Sequence, residues 1–289
     1  MSSPTPRIAQ PRNAGYPIPT GMELTVPARR KALVTNDDGI DAPGLVALAA
    51  AAVAAGLEVV VAAPARQSSG ASAGIIATTR QGQTLIERRQ LADLPGVEAY
   101  AVDAQPAYIV RAAVRGWLDP APELVLAGVN HGANVGRAIL HSGTVGAALT
   151  AGLNGLHGLA VSLDVGWHPA CAPHWATVGH LLPDVLELLT AAPHGTVLTL
   201  NIPDRPAEAL GELRYAALAE FGTVQTTVDR VDDGQLHLAQ VETQASRAAG
   251  TDSALLAAGH PTLTALESVC AVSGPAIPQW LASAIHRIG

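Results

Sequence analysis

The chain holds a single lysine, Lys31, in 289 residues. Lys and Arg together number 17 against 24 Asp and Glu, giving a formal charge of −7. No basic cluster of the kind that neutralises a polyanion is present, which argues against binding to a nucleic-acid duplex. Aromatic residues are only 3% of the chain, so its 48% apolar content rests largely on Ala and other small side chains. Such a core suits helices packed closely on a sheet. The two cysteines, Cys171 and Cys270, are isolated and lack metal-type spacing, consistent with a reduced, cytoplasmic protein. The longest apolar stretch, residues 45–64, is interrupted by Gly56 and Glu58 and reads as helix then strand, so no membrane span is expected. Residues 1–30 carry prolines and scattered arginines without an apolar signal core and read as a disordered leader.

What the chain does have is concentrated just after that leader. Residues 32–39 run Ala-Leu-Val-Thr-Asn-Asp-Asp-Gly. A short apolar run reads as a buried strand and stops at an amide, two carboxylates and a glycine. The glycine permits a tight turn that frees Asp37 and Asp38 from the opposite faces a strand would impose. Two carboxylates this close repel each other unless a positive charge lies between them. With little basic charge nearby, a metal ion is one candidate. A helix cap at Asp37 or Asp38 is the other.

Beyond this point strand and helix alternate. Strands are expected at 32–35, 58–63, 124–127, 159–163 and 197–201, with short, partly exposed ones at 75–79, 84–87 and 97–102. Helices are expected at 43–55, 106–118, 144–153 and 174–189. The alternation predicts an α/β fold, a three-layer, doubly wound, mostly parallel sheet of Rossmann-like type. Residues 31–205 form the expected catalytic core. Residues 206–289 change rhythm, with hairpin-like strands at 213–217, 224–231 and 235–241 and a terminal helix at 278–287. They are read as a smaller β-rich extension suited to subunit contacts.

In an open parallel sheet, ligands bind outside the carboxyl ends of the strands. Three loops leave such ends with unusual composition: residues 36–39, the loop carrying Ser69, and the Gly- and Asn-rich segment 128–136 with Asn130 and Asn134. Two carboxylates, a hydroxyl and an amide oxygen make an all-oxygen donor set. Such a set favours Mg²⁺, Mn²⁺ or Ca²⁺ over zinc. The Ser142-Gly143-Thr144 segment stands where a helix begins. Its backbone N–H groups would cradle an anion there, unless the segment is an ordinary cap. His131 and His141 read as neighbours of the site, and Trp167 and Trp175 as packing or subunit contacts.

Four ordered segments then resemble the SurE family of metal-dependent nucleoside monophosphate phosphatases. They are residues 35–44 (Thr-Asn-Asp-Asp-Gly-Ile-Asp-Ala-Pro-Gly), 69–72 (Ser-Gly-Ala-Ser), 128–136 and 141–148 (His-Ser-Gly-Thr-Val-Gly-Ala-Ala). The resemblance covers roughly residues 31–205. It implies one divalent cation, Mg²⁺ or Mn²⁺, held by Asp37, Asp38, Ser69 and Asn130. It further implies a phosphate site at Asn134, Ser142, Gly143 and Thr144, with Asn36 beside the substrate and Asp37, Asp38 and Asn134 catalytic. The implied activity is 5′-nucleotidase hydrolysis of a small phosphorylated substrate by a homodimer or homotetramer.

The sequence departs from the family pattern where a nucleoside would be read. Ala65 stands for the usual aspartate before Arg66, residues 104–109 lack the usual Gly-Thr-Pro-Ala-Asp-Cys run, Arg137 replaces an aspartate and His141 a tyrosine. Two rival readings follow: the same chemistry on a specialised phosphorylated metabolite, or a non-catalytic ligand-binding protein of this fold. A nicotinamide-dependent dehydrogenase is disfavoured, because no Gly-x-Gly-x-x-Gly follows the first strand.

Overall fold

A computed structural model describes residues 29–166, 171–222, 224–232, 235–242, 248–267 and 269, with backbone pairing alone for 224–242. Residues 1–28 of the expected leader, Trp167, Cys270 and the expected terminal helix at 278–287 lie outside the described residues. The strands are β1 (Lys31–Thr35), β2 (Glu58–Pro64), β3 (Thr79–Arg80), β4 (Gln83–Thr84), β5 (Ile86–Arg89), β6 (Glu98–Val102), β7 (Leu124–His131), β8 (His157–Asp164), β9 (Val197–Pro203), β10 (Arg214–Tyr215), β11 (Val224–Asp232), β12 (Gln235–Glu242) and β13 (Thr262–Leu266). The α-helices are α1 (Pro43–Ala54), α2 (Pro106–Ala112), α3 (Gly143–Leu153), α4 (Val178–Ala191) and α5 (Asp252–Ala257).

The main sheet runs β10-β13-β9-β8-β7-β1-β2-β6-β5. The six strands from β9 to β6 are mutually parallel. β13 joins β9 antiparallel and β5 joins β6 antiparallel. The expected doubly wound, mostly parallel α/β fold is therefore observed.

Alternation along each central strand builds two cores. Ala32, Val34, Val59, Val61, Leu124 and Leu126 face α1 and α4, meeting Leu45, Leu48, Leu182 and Leu189. Leu33, Val60, Ala62, Val125 and Ala127 face the other way, against Ile109 and Val110 of α2 and Ala147 and Ala151 of α3. With both faces covered, the strands read as unbroken apolar runs. Each fully buried Leu or Val contributes roughly 1.5–3 kcal/mol through removal from water.

Several elements differ from the sequence expectation. The helix expected at 106–118 is α-helical only to Ala112. It then widens into a π-turn at Ala113–Trp117, where Gly116 at φ +101° leaves the helical conformation. The helix expected from 174 begins at Val178, after a 3₁₀ turn at Trp175–Thr177, and holds Pro183 within it. The stretch expected as strand 75–79 contributes only a bridge at Ala77 and the two-residue β3. β10, expected within a hairpin, instead pairs parallel with β13 and so joins the main sheet. Short, distant pairings of this kind leave no period in the sequence. β11 and β12 do pair antiparallel, as a separate ribbon.

Candidate active site

The chain order reverses between β1 and β7, whose next neighbours are β2 and β8. At such a switch point the loops leaving the two strands part to opposite faces and open a crevice. Here the crevice is a cavity of about 780 Å³, and Asp37, Asp38, Ser69, Asn130, Asn134 and Ser142 are among the residues lining it. Residues from four loops, spread over more than a hundred positions, thus meet as the sequence reading required. Asn36, Gly143 and Thr144 are buried and do not line the cavity.

Asn36 has a different task from the one expected. Its Nδ2 donates to Gly39 O at 3.0 Å, and Gly39 N donates to its Oδ1 at 3.1 Å. This reciprocal pair, fully buried, clamps the turn that presents the two aspartates. Gly39 at φ +105° lets the chain close that turn.

Asp37 is 3% exposed. Burial pushes its carboxyl above the usual range and nearby Asp38 adds to that, while hydrogen bonds from the Thr144 hydroxyl and amide oppose it. The Thr144 hydroxyl donates to Asp37 Oδ1 and lies 3.4 Å from Asn130 Oδ1. A Cβ at Gly143 would fall 2.8 Å from Asp37 Oδ2. The first turn of α3 is therefore fitted around Asp37, and glycine is required because no other side chain leaves room for the carboxylate. The helix start still receives an anion, but that anion is the protein's own.

Asp38 is also raised by burial, opposed by the His131 backbone amide, which donates to its Oδ2 at 3.2 Å, and by the His131 ring and Gln67. Gln67 Nε2 bridges Asp38 Oδ1 at 3.5 Å and Ser69 Oγ at 3.0 Å, a link that sequence reading missed. Asn130 Nδ2 donates to Gly132 O at 2.8 Å, which turns Oδ1 toward Thr144. One extra residue in β7 opposite β8, between Ala127 and Asn130, gives the local bulge that precedes it.

Asn134 is held from behind. Its N–H donates to Asn201 Oδ1 at 2.8 Å, its carbonyl accepts from Asn201 Nδ2 at 2.9 Å, and its Nδ2 donates to Ser162 Oγ at 2.9 Å. Asn201 and Ser162 are 2% and 1% exposed, at the carboxyl ends of β9 and β8. Their signal in the sequence is a polar residue inside an otherwise apolar strand.

The donor chemistry fits a hard divalent cation. The set is two carboxylates, a hydroxyl and an amide oxygen. Among the described residues, no salt bridge joins Asp37 or Asp38 to a basic side chain. No group of three His, Cys, Asp or Glu side chains that would suit zinc occurs among them either.

Fold and cavity together define a doubly wound α/β protein with an oxygen-donor site at the switch point of its sheet. The family model for survival protein SurE matches residues 32–224. A 5′-nucleotidase SurE from Aeromonas hydrophila is 34% identical over 244 residues, spanning 81% of this chain and 90% of the relative. Another, from Rubrobacter xylanophilus, is 38% identical over 193 residues, spanning 64% of this chain and 71% of its own. The crystal structure of the SurE protein from Aquifex aeolicus superposes with a TM-score of 0.71 at 25% identity, covering 89% of this chain and 99% of that one. The chain belongs to the SurE family.

Proposed function

We propose that the chain is a 5′-nucleotidase that hydrolyses nucleoside 5′-monophosphates to nucleoside and phosphate. The observation that supports this best is the pair of buried Asp37 and part-buried Asp38, with no salt bridge to a basic side chain among the described residues and a cavity lined by Ser69, Asn130, Asn134 and Ser142 before it. Asp37, Asp38, Ser69 and Asn130 would hold one divalent cation, Mg²⁺ or Mn²⁺, which when bound would polarise a phosphoryl oxygen. Asn134 and the Ser142 hydroxyl orient the remaining phosphoryl oxygens. Ser142 Oγ accepts from Val145 N at 3.1 Å, so its proton is left to donate toward the cavity. Asp37 accepts the proton of the attacking water. Thr144 and Gly143 act on Asp37, not on the substrate.

No helix among the described residues is long and apolar enough to cross a membrane. We place the protein in the cytoplasm as a homodimer or homotetramer, its core at residues 31–205 and its subunit contacts partly in the extension beyond.

The test is phosphate release by the full chain across nucleoside monophosphates, sugar phosphates and short polyphosphate, with Mg²⁺, Mn²⁺ or chelator. The expected result is metal-dependent release favouring nucleoside monophosphates, abolished in Asp37→Asn. Near wild-type turnover by that variant overturns the assignment. A clear preference for a sugar phosphate instead supports the specialised-metabolite reading, in keeping with His141 and Arg66 lining the cavity.

A further inference from the structure

We infer that Trp175, with His131 beside it, is the seat for the nucleobase of the substrate. This rests on the nucleotidase reading above and names the residue that would give it its preference for a nucleoside. The sequence reads Trp175 as a packing or subunit contact. The structure puts it, half-buried, in the wall of the same cavity as Asp37 and Asp38.

Three observations support the seat. First, the cavity combines two kinds of lining. Asp37, Asp38, Ser69, Asn130 and Asn134 bring oxygen-bearing side chains to it, while Ala42, Pro43 and the Trp175 indole bring apolar surface. At about 780 Å³ it falls in the range of whole small-molecule sites, well beyond the need of a phosphoryl group alone. Second, one residue links the Asp38 carboxylate to the indole. The His131 backbone donates to Asp38, and the His131 ring lies 5.9 Å from the indole, centroid to centroid, at 49°. Trp175 is thus one residue away from Asp38, in the same cavity that Asn134 and Ser142 line for the phosphoryl group.

Third, the indole is fixed before any ligand arrives. His174 N and Nδ1 reach Asp204 Oδ1 at 2.8 and 2.9 Å, and Thr177 Oγ1 donates to Arg205 O at 2.8 Å. These bonds tie both flanks of Trp175 to the chain leaving β9. From below, a Cβ at Gly44 would come within 3.0 Å of Trp175 Cζ3 and 2.1 Å of Val129 O, so the indole rests against bare α1 backbone. A flat ring held in this way loses little freedom on stacking. Every nucleobase offers a π-face, so the seat is tolerant of base identity.

The experiment compares wild type, Trp175→Ala and Trp175→Phe on adenosine 5′-monophosphate and glycerol 3-phosphate, which has no ring. In Trp175→Ala the ratio of kcat/KM for the nucleotide to that for glycerol phosphate is expected to fall by roughly 10-fold or more, with Trp175→Phe restoring most of it. Titration of wild type with adenosine 5′-monophosphate is expected to quench tryptophan fluorescence, and Trp175→Phe to lose that quench. An unchanged ratio in Trp175→Ala, or an equal quench in Trp175→Phe, overturns the seat. If wild type shows the Trp175-dependent quench but hydrolyses neither ester, the seat stands and the nucleotidase reading fails.

Discussion

Asn201 grips Asn134 by both backbone groups, accepting from its N–H and donating to its carbonyl at 2.8 and 2.9 Å. A side chain that reproduces backbone pairing holds the loop as a strand neighbour would. Asn201→Leu keeps a similar size but leaves both groups without this partner in a part-buried place. The expected cost is about 1–3 kcal/mol in denaturant unfolding. Turnover should fall with it, as Asn134 loses its orientation. Wild-type kcat at unchanged stability would contradict this role.

The Thr144 hydroxyl bonded to Asp37 predicts a metal phenotype. Thr144→Val preserves shape and removes the bond. Loss of a group that orients a ligand typically costs on the order of 10- to 100-fold in metal affinity or activity. Activity measured against Mg²⁺ or Mn²⁺ concentration should shift to higher metal, and superimposable curves for variant and wild type would count against it.

Asp252 links the C-terminal region to the site loop. This buried carboxylate accepts from Gly136 N at 2.7 Å, Ala219 N at 2.9 Å and Ser253 N at 2.8 Å. Asn at this position has one accepting oxygen, so at least one backbone N–H would face an NH₂ group. Asp252→Asn is expected to lower stability by about 1–3 kcal/mol and to reduce kcat through the loop bearing Asn134. Urea unfolding together with steady-state kinetics decides the point.

His157 predicts the acid behaviour of the fold. It is 4% exposed, stacks on His194 with ring centroids 5.4 Å apart, and its Nδ1 has no hydrogen-bond partner among the described residues. Burial, then His194 and Arg30, hold its pKa below the ordinary histidine value of 6.5. Below that value the unfolded chain takes up the proton that the folded one resists, so stability drops as pH falls through it. His157→Gln should flatten the melting temperature against pH between about pH 7 and pH 5. Parallel curves for variant and wild type would exclude this contribution.

Much of the fold was legible because buried parallel strands are apolar throughout: residues 32–35 and 58–63 stand out for that reason, and Pro43 and Pro106 mark helix starts. The donors were legible as a group because polar residues cluster where those strands end. Roles were harder to read. Asn36, Gly143 and Thr144 belong to motifs at the site, yet they fold and hold Asp37 without facing the cavity, and only three-dimensional packing separates the two tasks. Asn201, Ser162 and Asp252 act over separations of 28 to 116 residues, which no local pattern records.

The outermost strands have a consequence for solubility. β10 is only two residues long, and β5 places Glu87, Arg88 and Arg89 along its four residues. Exposed strand borders invite chains to add to one another, and brevity or charge deters it. A protein almost without lysine thus guards one margin by leaving too little strand to copy and the other with arginine and glutamate.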